Sequence, residues 1–352
     1  MSVAEQTWTI TPFVPKEATA DEWKKFHEYR HIRHKDLRPD DPIFPDDLVE
    51  KQMKMDDPFG ENWQFAIYDN DKKVSGFSAG VSKPEAPGYE SGKHLIYGGG
   101  GALKEYRRRG IGRLWLRKAL ELTEQTGRSV FTSGAEEEDG HAFLRWAGFE
   151  EKQVGAENRL NFQEIDWDMV TGWIAEGLKK SPDTKLEFYE NRLPEDFWEE
   201  YATAITPLLN TMPFDDLDHG EIIMTREVLA EQYKHVDAMN AEHHVVITRE
   251  PDGKISGMTD VFWLPARPTF VSQQFTGVDP EARGRGLGKW LKAYMLDFLR
   301  GRYEGLEWVS TGNANSNDPM LAINKQLGFK EFKGSTSYQI TREKLAEKVA
   351  TL

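Results

Sequence analysis

The sequence predicts an α/β (α+β) protein built from two tandem copies of one domain. A chain of 352 residues suits two cores of ordinary size better than one. Each half shows the same mixed order of strands and helices, which predicts sheets layered with helices. Each half also carries a glycine-rich, arginine-rich loop between a predicted strand and a predicted helix.

Internal duplication is the strongest of these signals. The stretches "EYRRRGIGRLW" and "EARGRGLGKW" contain Gly110 and Gly286 at matching places. Further landmarks recur in the same order: Trp23 with Trp198, Asp40 with Asp215, Gly76 with Gly257, and Phe149 with Phe329. Such order over a long period is typical of a repeated unit. We predict a first domain over residues 1–166, a helical linker over 167–183 and a second domain over 184–352.

Each predicted element has its counterpart in the other half. An opening strand ("WTITPFV", "TKLEFYE") precedes an acid-rich helical region, and turn residues in "YDNDKK" and "REPDGK" predict hairpins. The next strand ("HLIYGGGGAL", "FVSQQFTGV") runs into the loop and a long helix. A further strand ("SVFTSG", "LEWVSTGN") and a short helix that ends in Gly-Phe close the unit.

Composition excludes several classes of protein. The chain has no Cys, which excludes disulfide scaffolds, thiolate metal sites and Cys nucleophiles. A net charge of −14 argues against nucleic-acid binding and is compatible with cationic small molecules. No stretch is apolar enough to span a membrane, and the N-terminus does not resemble a secretory signal. We expect a cytoplasmic protein with no nucleic-acid or membrane partner.

We expect no metal site. Two of the nine His residues, His27 and His31 in "HEYRH", have H-E-x-x-H spacing, and "HIRH" places His34 on the same helical face as His31. No Cys is available to add a thiolate ligand.

The loop around Gly286 is predicted to bind an anion. Glycines before a helix let its unpaired N–H groups approach a phosphate, and neighbouring Arg and Lys side chains add charge. A P-loop is excluded because Trp290 follows Gly288-Lys289 and Arg283 stands where its first Gly belongs. The glycine interval also differs from the G-x-G-x-x-G of dinucleotide-binding folds.

The stretch "VDPEARGRGLGKWL" resembles the acetyl-CoA-binding motif of the GNAT acyltransferase superfamily. Val278, Pro280, Arg283, Gly286 and Gly288 match V-x-P-x-x-R/Q-x-x-G-x-G/A position by position. The segment "NSNDPMLAINKQLGFKEF" resembles the second cofactor motif of that family. The motif order in both halves is similar to that of tandem GNAT proteins, which implies two GNAT-like domains with mostly antiparallel sheets.

The resemblance implies acetyl-CoA as co-substrate. The loop would hold the pyrophosphate, a backbone N–H near Val278 would polarise the thioester, and a primary amine would attack directly. The implied cofactor-binding residues of the C-terminal half are Val278, Arg283, Gly284, Arg285, Gly286, Leu287, Gly288, Lys289, Asn313 and Asn317. Those of the N-terminal half are Arg107, Arg108, Arg109, Gly110, Ile111 and Gly112.

Departures from the motif predict that catalysis belongs to the C-terminal half. Ala102 and Lys104 replace the motif's Val and Pro, and Glu137 replaces Asn317, placing a carboxylate near an anionic cofactor. The N-terminal half would be mainly structural or would bind coenzyme A without turnover.

Candidate catalytic groups are few. The usual acid of the family, a Tyr, is replaced by Asn324 and Leu144, so Tyr338 is the predicted substitute. The predicted base is Asp260 or a member of the pair His243-His244, of which His244 is the main candidate, with a water chain as the alternative.

The acidic run "FDDLDHGE" is predicted to bind the acceptor. Asp215, Asp216 and Asp218 could attract a small, cationic amine. A non-catalytic acyl-CoA-binding sensor or scaffold remains the alternative function, and nucleotide binding through the loops is a third. We expect a monomer or homodimer, since a tandem chain already contains two domains.

Overall fold

The computed structural model describes residues 8–352, which form two compact units. Unit 1 holds residues up to Gln153 together with 216–220 and 336–352, and unit 2 holds 154–215 and 221–335. Residues 1–7, which belong to the stretch assessed above for a secretory signal, lie outside the described residues.

Within residues 8–166, the first repeat contains six strands and five α-helices. The strands are β1 (Ile10–Pro12), β2 (Gly60–Asp69), β3 (Lys72–Ser82), β4 (Leu95–Ala102), β5 (Val130–Ala135) and β6 (Glu150–Asn161). The helices are α1 (Ala20–Leu37), α2 (Asp46–Met53), α3 (Tyr89–Gly92), α4 (Ile111–Gln125) and α5 (Glu138–Ala147).

The second repeat has the same plan. A helix at the position of the predicted linker comes first, and its N-terminus is capped by the Asp166 carboxylate, which accepts from the Met169 N–H at 3.0 Å. The strands are β7 (Lys185–Tyr189), β8 (Glu242–Arg249), β9 (Ile255–Trp263), β10 (Phe270–Val278), β11 (Trp308–Ala314) and β12 (Lys330–Thr341). The helices are α6 (Trp167–Lys180), α7 (Trp198–Leu209), α8 (Arg226–Ala238), α9 (Leu287–Arg302), α10 (Asp318–Leu327) and α11 (Arg342–Ala350).

The two units have sheets of the same topology. The strand order is β1-β2-β3-β4-β5-β12 in unit 1 and β7-β8-β9-β10-β11-β6 in unit 2. Pairing is antiparallel except between β4 and β5 and between β10 and β11, which are parallel. These sheets, flanked by helices, confirm the predicted fold class.

The last strand of each repeat pairs in the unit of the other repeat. Thr336–Thr341 of β12 pair with β5, and Gly155–Asn161 of β6 pair with β11. The compact units therefore do not follow the predicted linear division at residues 166 and 184. A sequence repeat cannot show such an exchange, because a strand satisfies the same ladder bonds in either sheet.

Unit 2 is layered, with its sheet between two pairs of helices. On β8, Val246 faces α6 and α9, whereas Val245 and Ile247 face α7 and α8, because side chains alternate along a strand. Leu291 of α9 is completely buried on the first face. Burying each such side chain stabilises the fold by roughly 1.5–3 kcal/mol.

Unit 1 packs its own core around aromatic rings. Phe77 stacks on Phe131 with ring centroids 6.5 Å apart, and Phe131 meets Phe149 edge to face at 6.2 Å. Leu116 and Leu122 of α4 close this core. Among residues 8–352, no helix combines the length and apolar character needed to cross a membrane.

Candidate active site in unit 2

The parallel strands of unit 2 pair over only a short distance. Phe270 pairs with Trp308, and Ser272 pairs with Ser310. Pairing ends there, although β10 continues to Val278 and β11 to Ala314. We call the space between residues 273–278 and 311–314 the β10–β11 cleft. Backbone groups along an unpaired strand edge are ready to pair with an extended chain. The cleft can therefore accept an extended ligand arm.

The loop at the end of β10 is suited to an anion. Gly284 and Gly286 have φ values of +81° and +83°, and a Cβ on either would meet no heavy atom within 4 Å. Helix α9 starts directly after Gly286, and no side chain caps it. Its first N–H groups therefore have no side-chain cap, and the positive end of the helix dipole lies behind them. These features fit the pyrophosphate expected there.

The three predicted cations of the loop differ in their partners. The Arg283 side chain donates to the Val278 carbonyl at 3.2 Å, and Lys289 donates to Gln326 Oε1 at 2.8 Å. Arg285 instead forms an ion pair with Glu250 at 2.9 Å. The sequence predicted that Arg285 would bind the phosphate. In the structure its guanidinium is instead engaged by Glu250.

The Arg285 ion pair is a structural contact. The guanidinium also donates to Ser181 Oγ at 3.2 Å and to Thr184 Oγ1. Burial by itself would raise the pKa of Glu250, but hydrogen bonds from Arg285, Ser256 and Thr184 hold that pKa below its ordinary value. The pair ties the loop to the segment that follows α6.

The remaining cofactor candidates shape the cleft. Leu287 is buried, and a Cβ on Gly288 would lie 3.4 Å from Ile323 and 3.7 Å from Val278, so Gly288 permits close packing of α9 on α10. Asn317 caps α10 by accepting from the Met320 N–H at 3.4 Å. Asn313, near the end of β11, accepts from Asn324 Nδ2 at 2.8 Å.

Asp260 lies in a buried relay on the α7–α8 face of the sheet. Its Oδ2 is 3.2 Å from His243 Nε2, and His243 Nδ1 is 2.9 Å from the hydroxyl of Tyr233. That hydroxyl accepts from the Leu193 N–H at 2.8 Å, so its own proton points to His243. His243 then donates through Nε2 to Asp260, which orients the carboxylate and stabilises its charge.

A β-bulge places Asp260 beside the cleft strand. The register between β9 and β10 shifts between Gln273 and Thr276, opposite Asp260. The Phe275 N–H donates to Asp260 Oδ1 at 2.9 Å instead of joining the ladder. Bulges re-aim groups near active sites, and this one couples the carboxylate to the backbone of β10.

A second buried polar cluster lies on the α9 side of the same bulge. Lys292 of α9 donates to Gln273 Oε1 at 2.9 Å and to Asn324 Oδ1 at 2.8 Å. Gln273 in turn donates to Thr259 and Thr276 at 2.9 and 2.8 Å. Our sequence analysis missed Lys292. Its signal was helical spacing, since Gly288, Lys292 and Leu299 share the buried face of α9.

His244 is not suited to the predicted role of base. Its side chain is fully buried, its Nδ1 accepts from the Asn191 N–H at 2.9 Å, and its Nε2 lies 2.6 Å from the Tyr303 hydroxyl. Burial lowers the pKa of His244 to about 4. It packs between Phe188 and Phe298, on the face opposite Asp260. Because both of its ring nitrogens are engaged there, we withdraw His244 as the base.

Tyr338 belongs to unit 1 rather than to the unit of the C-terminal loop. It pairs with Ser133 of β5, and its hydroxyl lies 2.9 Å from His141 Nδ1 and 3.1 Å from Glu151 Oε1. Burial and the Glu151 carboxylate raise the pKa of Tyr338. Because both partners of the hydroxyl are in unit 1, we withdraw Tyr338 as the acid of the C-terminal site.

The acidic run is divided between the units. Asp215 belongs to unit 2, whereas Asp216 and Asp218 belong to unit 1. Asp218 pairs with His94 at 2.6 Å, and the Asp216 N–H donates to the Lys152 carbonyl at 3.1 Å. The structure therefore does not bring the three carboxylates together in unit 2.

The first loop has the same backbone path but a different electrostatic setting. Gly110 has φ +90°, and α4 begins at Ile111. Arg107, however, pairs with Glu137 at 3.0 Å and with Asp139 at 2.7 Å. Two carboxylates thus already neutralise the cation that would meet a phosphate. Arg108 stands at φ +60°, a conformation costly for a side chain with Cβ.

Two further candidates of the first loop, Arg109 and Gly112, make structural contacts. Arg109 contributes its carbonyl, which accepts from Trp8 Nε1 at 2.7 Å, and its guanidinium lies 5.2 Å from the Tyr106 ring. A Cβ on Gly112 would overlap the ring of Phe143, so this glycine serves packing of α5 on α4.

Unit 1 also contains a His–Asp group with metal-ligand geometry. The ligand atoms of His27, His31 and Asp46 lie within 4.8 Å of one another. The guanidinium of Arg30 contacts the same Asp46 oxygen, so a fixed positive charge already occupies its vicinity. We interpret the group as an ion-pair cluster that joins α1 to α2.

Comparison with known proteins agrees with this architecture. Residues 195–329 match the model of the acetyltransferase (GNAT) family. A solved structure described as a tandem GNAT protein from the clavulanic acid biosynthesis pathway aligns with a TM-score of 0.72 and 17% identity. The alignment covers 96% of this chain and 99% of the other. The chain therefore has the fold of a tandem GNAT protein, and residues 195–329 carry the match to the GNAT family.

Curated relatives match over shorter stretches. Mycothiol acetyltransferase of Salinispora arenicola is 37% identical over 92 residues, which is 26% of this chain and 30% of the relative. The N-alpha-acetyltransferase RimI of Mycobacterium tuberculosis is 35% identical over 88 residues, 25% of this chain and 52% of the relative. The chain thus spans between about a third and a half of the length of these relatives.

Proposed function

We propose that this protein is an N-acetyltransferase that moves an acetyl group from acetyl-CoA to a primary amine, and that unit 2 carries the reaction. The proposal rests on the β10–β11 cleft, which opens onto the glycine-rich loop that contains Gly284 and Gly286. We call this loop the anion cradle. The family match over residues 195–329 falls in the same unit, and the relatives named above are acetyltransferases.

Acetyl-CoA fits the cleft by length and charge. The pyrophosphate would bind the N–H groups at the start of α9 and the Arg283 guanidinium. The pantetheine arm would lie along β10 as an added strand, with its amides paired to the free edge. It has roughly the chain length of four residues, about 13 Å at 3.3 Å per residue. Its thioester therefore reaches the neighbourhood of the bulge.

The amine would approach from the α7–α8 face, where Asp260 lies. Asp260 accepts the proton that the attacking nitrogen must lose, and His243 and Tyr233 hold its carboxylate in place. The amine nitrogen forms a bond to the carbonyl carbon, and backbone N–H groups of β10 stabilise the negative charge that develops on the carbonyl oxygen. Collapse of this intermediate breaks the carbon–sulfur bond and releases the coenzyme A thiol.

The acceptor is a small amine in this proposal. Asp215 is the one member of the predicted acidic trio that unit 2 retains, and it offers a single carboxylate to a cationic acceptor. The names of the mycothiol acetyltransferase and the N-alpha-acetyltransferase support an amine as nucleophile, and they leave its structure open.

Thiol release with a panel of primary amines tests this function. Purified full-length protein is mixed with acetyl-CoA and each amine, and free thiol is followed with a chromogenic disulfide. We expect amine-dependent release with at least one small amine. Calorimetric titration with acetyl-CoA, run in parallel, counts the sites, and we expect one per chain.

The same pair of measurements distinguishes the alternative function. Binding of acetyl-CoA without amine-dependent release across the panel would favour a non-catalytic acyl-CoA sensor. Absence of acetyl-CoA binding would refute both functions, and competition by ATP but not by desulfo-CoA would favour a nucleotide site.

A further inference from the structure

Lys292 is a buried ammonium that has no ionic partner. Its side chain is 2% exposed, and its partners are the neutral amide oxygens of Gln273 and Asn324. Within the described part of the chain, no carboxylate lies within ion-pair distance of Nζ, and the nearest ring is that of Phe329 at 5.3 Å. Burying a charge in this way is costly, and amide oxygens compensate only part of that cost.

The position of Lys292 is at the narrow end of the β10–β11 cleft. Gln273 directly follows Ser272, the last residue of β10 that pairs with β11. Asn324 links the lysine to Asn313 on the opposite wall of the cleft. An arm of about 13 Å that starts at Val278 and runs back along β10 spans roughly four residues and ends beside Gln273, which accepts from Lys292. The sulfur end of coenzyme A thus arrives beside this cluster.

Lys292 and Asp260 lie on opposite faces of the same bulge. Thr259, which accepts from Gln273, faces α9, whereas its neighbour Asp260 faces α7 and α8, because strand side chains alternate. The arrangement therefore places a proton acceptor on one side of the bulge and a proton donor on the other.

We propose that Lys292 is the proton donor to the coenzyme A thiolate in unit 2, an inference that rests on the proposed acetyl transfer. As the carbon–sulfur bond breaks, sulfur keeps the electron pair and takes a proton from the Lys292 ammonium. The products are the thiol and a neutral lysine amine. The proton lost by the attacking nitrogen goes to Asp260. Solvent then protonates Lys292 and deprotonates Asp260, which closes the cycle.

The electrostatic setting of Lys292 suits this role. Burial lowers the pKa of Lys292 to about 7, so the ammonium releases its proton more readily than an exposed lysine. The groups that face Nζ from β10 and α10 are the amide oxygens already named, neither of which titrates. A general acid is most effective when its pKa is near the working pH.

Two variants of the full-length protein test the assignment. Lys292→Met removes the proton and keeps the side-chain length, whereas Lys292→Arg keeps a cation whose pKa is too high for proton donation. For each, turnover is measured against pH with the best amine of the panel, and acetyl-CoA affinity is measured by calorimetry. Thermal unfolding checks that each variant folds.

We expect wild-type turnover to fall on the alkaline side as Lys292 loses its proton. Both variants should lose about 100-fold or more in kcat, keep acetyl-CoA affinity within a few fold, and lack this alkaline limb. If kcat of either variant still falls at the same alkaline pH as in the wild type, the proposal is wrong, however low that kcat is. A lysine with a purely structural role would change the size of kcat but not the pH at which it falls.

A binding measurement separates this proposal from the proposed function. The pKa of the thiol of bound coenzyme A is read from thiolate absorbance, with no amine present. The Lys292 ammonium should lower this thiol pKa in the wild type, and Lys292→Met should raise it towards the free value. An unchanged thiol pKa overturns the role of Lys292 even if acetyl transfer is observed. A shifted thiol pKa in a protein without turnover refutes the proposed function but keeps Lys292 beside the sulfur.

Discussion

Unit 1 and unit 2 have the same sheet order and the same turn before the long helix, yet their interiors differ. Counted from Gly286, Lys292 is the sixth following residue, and the sixth after Gly110 is Leu116. Asn324 stands four residues before Gly328, where unit 1 has Leu144 before Gly148. Unit 1 is therefore apolar where unit 2 carries its buried polar cluster.

The same replacement occurs beside the bulge. Asp260 follows Gly257 by three residues, and Ala79 holds the same place after Gly76. Leu116, Leu144 and Ala79 are all buried in the unit 1 core. A repeat can thus keep its fold after losing its polar groups, because the backbone ladders and apolar packing supply most of its stability.

The loops show the same contrast in charge. In unit 2, Arg285 pairs with Glu250, and the Arg283 guanidinium donates to the Val278 backbone carbonyl. In unit 1, Arg107 is neutralised by Glu137 and Asp139. The glycine turn alone therefore does not make an anion site, since the surrounding charges decide whether a phosphate is attracted.

The largest expected effect comes from blocking the glycine-rich loop of one unit at a time. Gly286→Glu places a carboxylate at a residue with φ +83° and should abolish acetyl-CoA binding in unit 2. We expect turnover to fall by about 100-fold or more, equivalent to about 3 kcal/mol. Gly110→Glu is the matched control and should change turnover by less than about threefold. The reverse pattern would assign catalysis to unit 1.

Removing the carboxylate beside the bulge should have the next largest effect. Asp260→Asn keeps the size of the side chain but cannot accept a proton, so kcat should fall by roughly 10²–10⁴-fold with acetyl-CoA affinity retained. Asp252→Asn, in the turn before β9, serves as control and should leave kcat unchanged. If Asp260→Asn retains activity within about tenfold of wild type, another group or water is the base.

The two loop arginines should separate binding from stability. Arg283→Ala should weaken acetyl-CoA affinity by roughly tenfold without affecting the free energy of unfolding. Arg285→Ala leaves the half-buried Glu250 without its cation and should lower that free energy by about 1–3 kcal/mol. Calorimetry and urea denaturation measure the two quantities. Equal effects of both variants on affinity would contradict the assignment of Arg285 as structural.

A smaller effect concerns the buried lysine of unit 1. Lys73 lies among the rings of Phe13, Phe26 and Tyr29, with the Phe26 centroid 4.3 Å from Nζ. Burial lowers the pKa of Lys73 to about 7. The folded chain then binds fewer protons than the unfolded chain between about pH 7 and the ordinary lysine pKa, so this residue makes stability rise with pH across that window.

Lys73→Met tests the cost of that buried charge. The variant should unfold at a higher temperature at pH 7, by the equivalent of about 1 kcal/mol or more, and its stability should depend less on pH up to about 10. Turnover should stay at the wild-type value, because unit 1 lacks the polar cluster. A loss of stability at neutral pH would show that the aromatic rings hold the ammonium more favourably than water does.

Much of the fold was predictable because its signals are local. Gly286 and Gly110 mark turns that require positive φ, and the consecutive apolar residues Val245–Ile247 predict that β8 is buried on both faces. Asp260 could be identified as a candidate because a carboxylate within an apolar strand is unusual. His244 is equally unusual in sequence, and only its neighbours Tyr303 and Asn191 show a structural role.

The duplication, the α/β class, the glycine turns and the departures of the first repeat from the motif follow from the amino-acid sequence alone. These depend on residues close together in the chain, where backbone preference and side-chain periodicity act directly. The tertiary structure decided which carboxylate Arg285 meets, which unit holds Tyr338 and where Lys292 points. These depend on contacts between distant segments, and the same local pattern is compatible with several such partners.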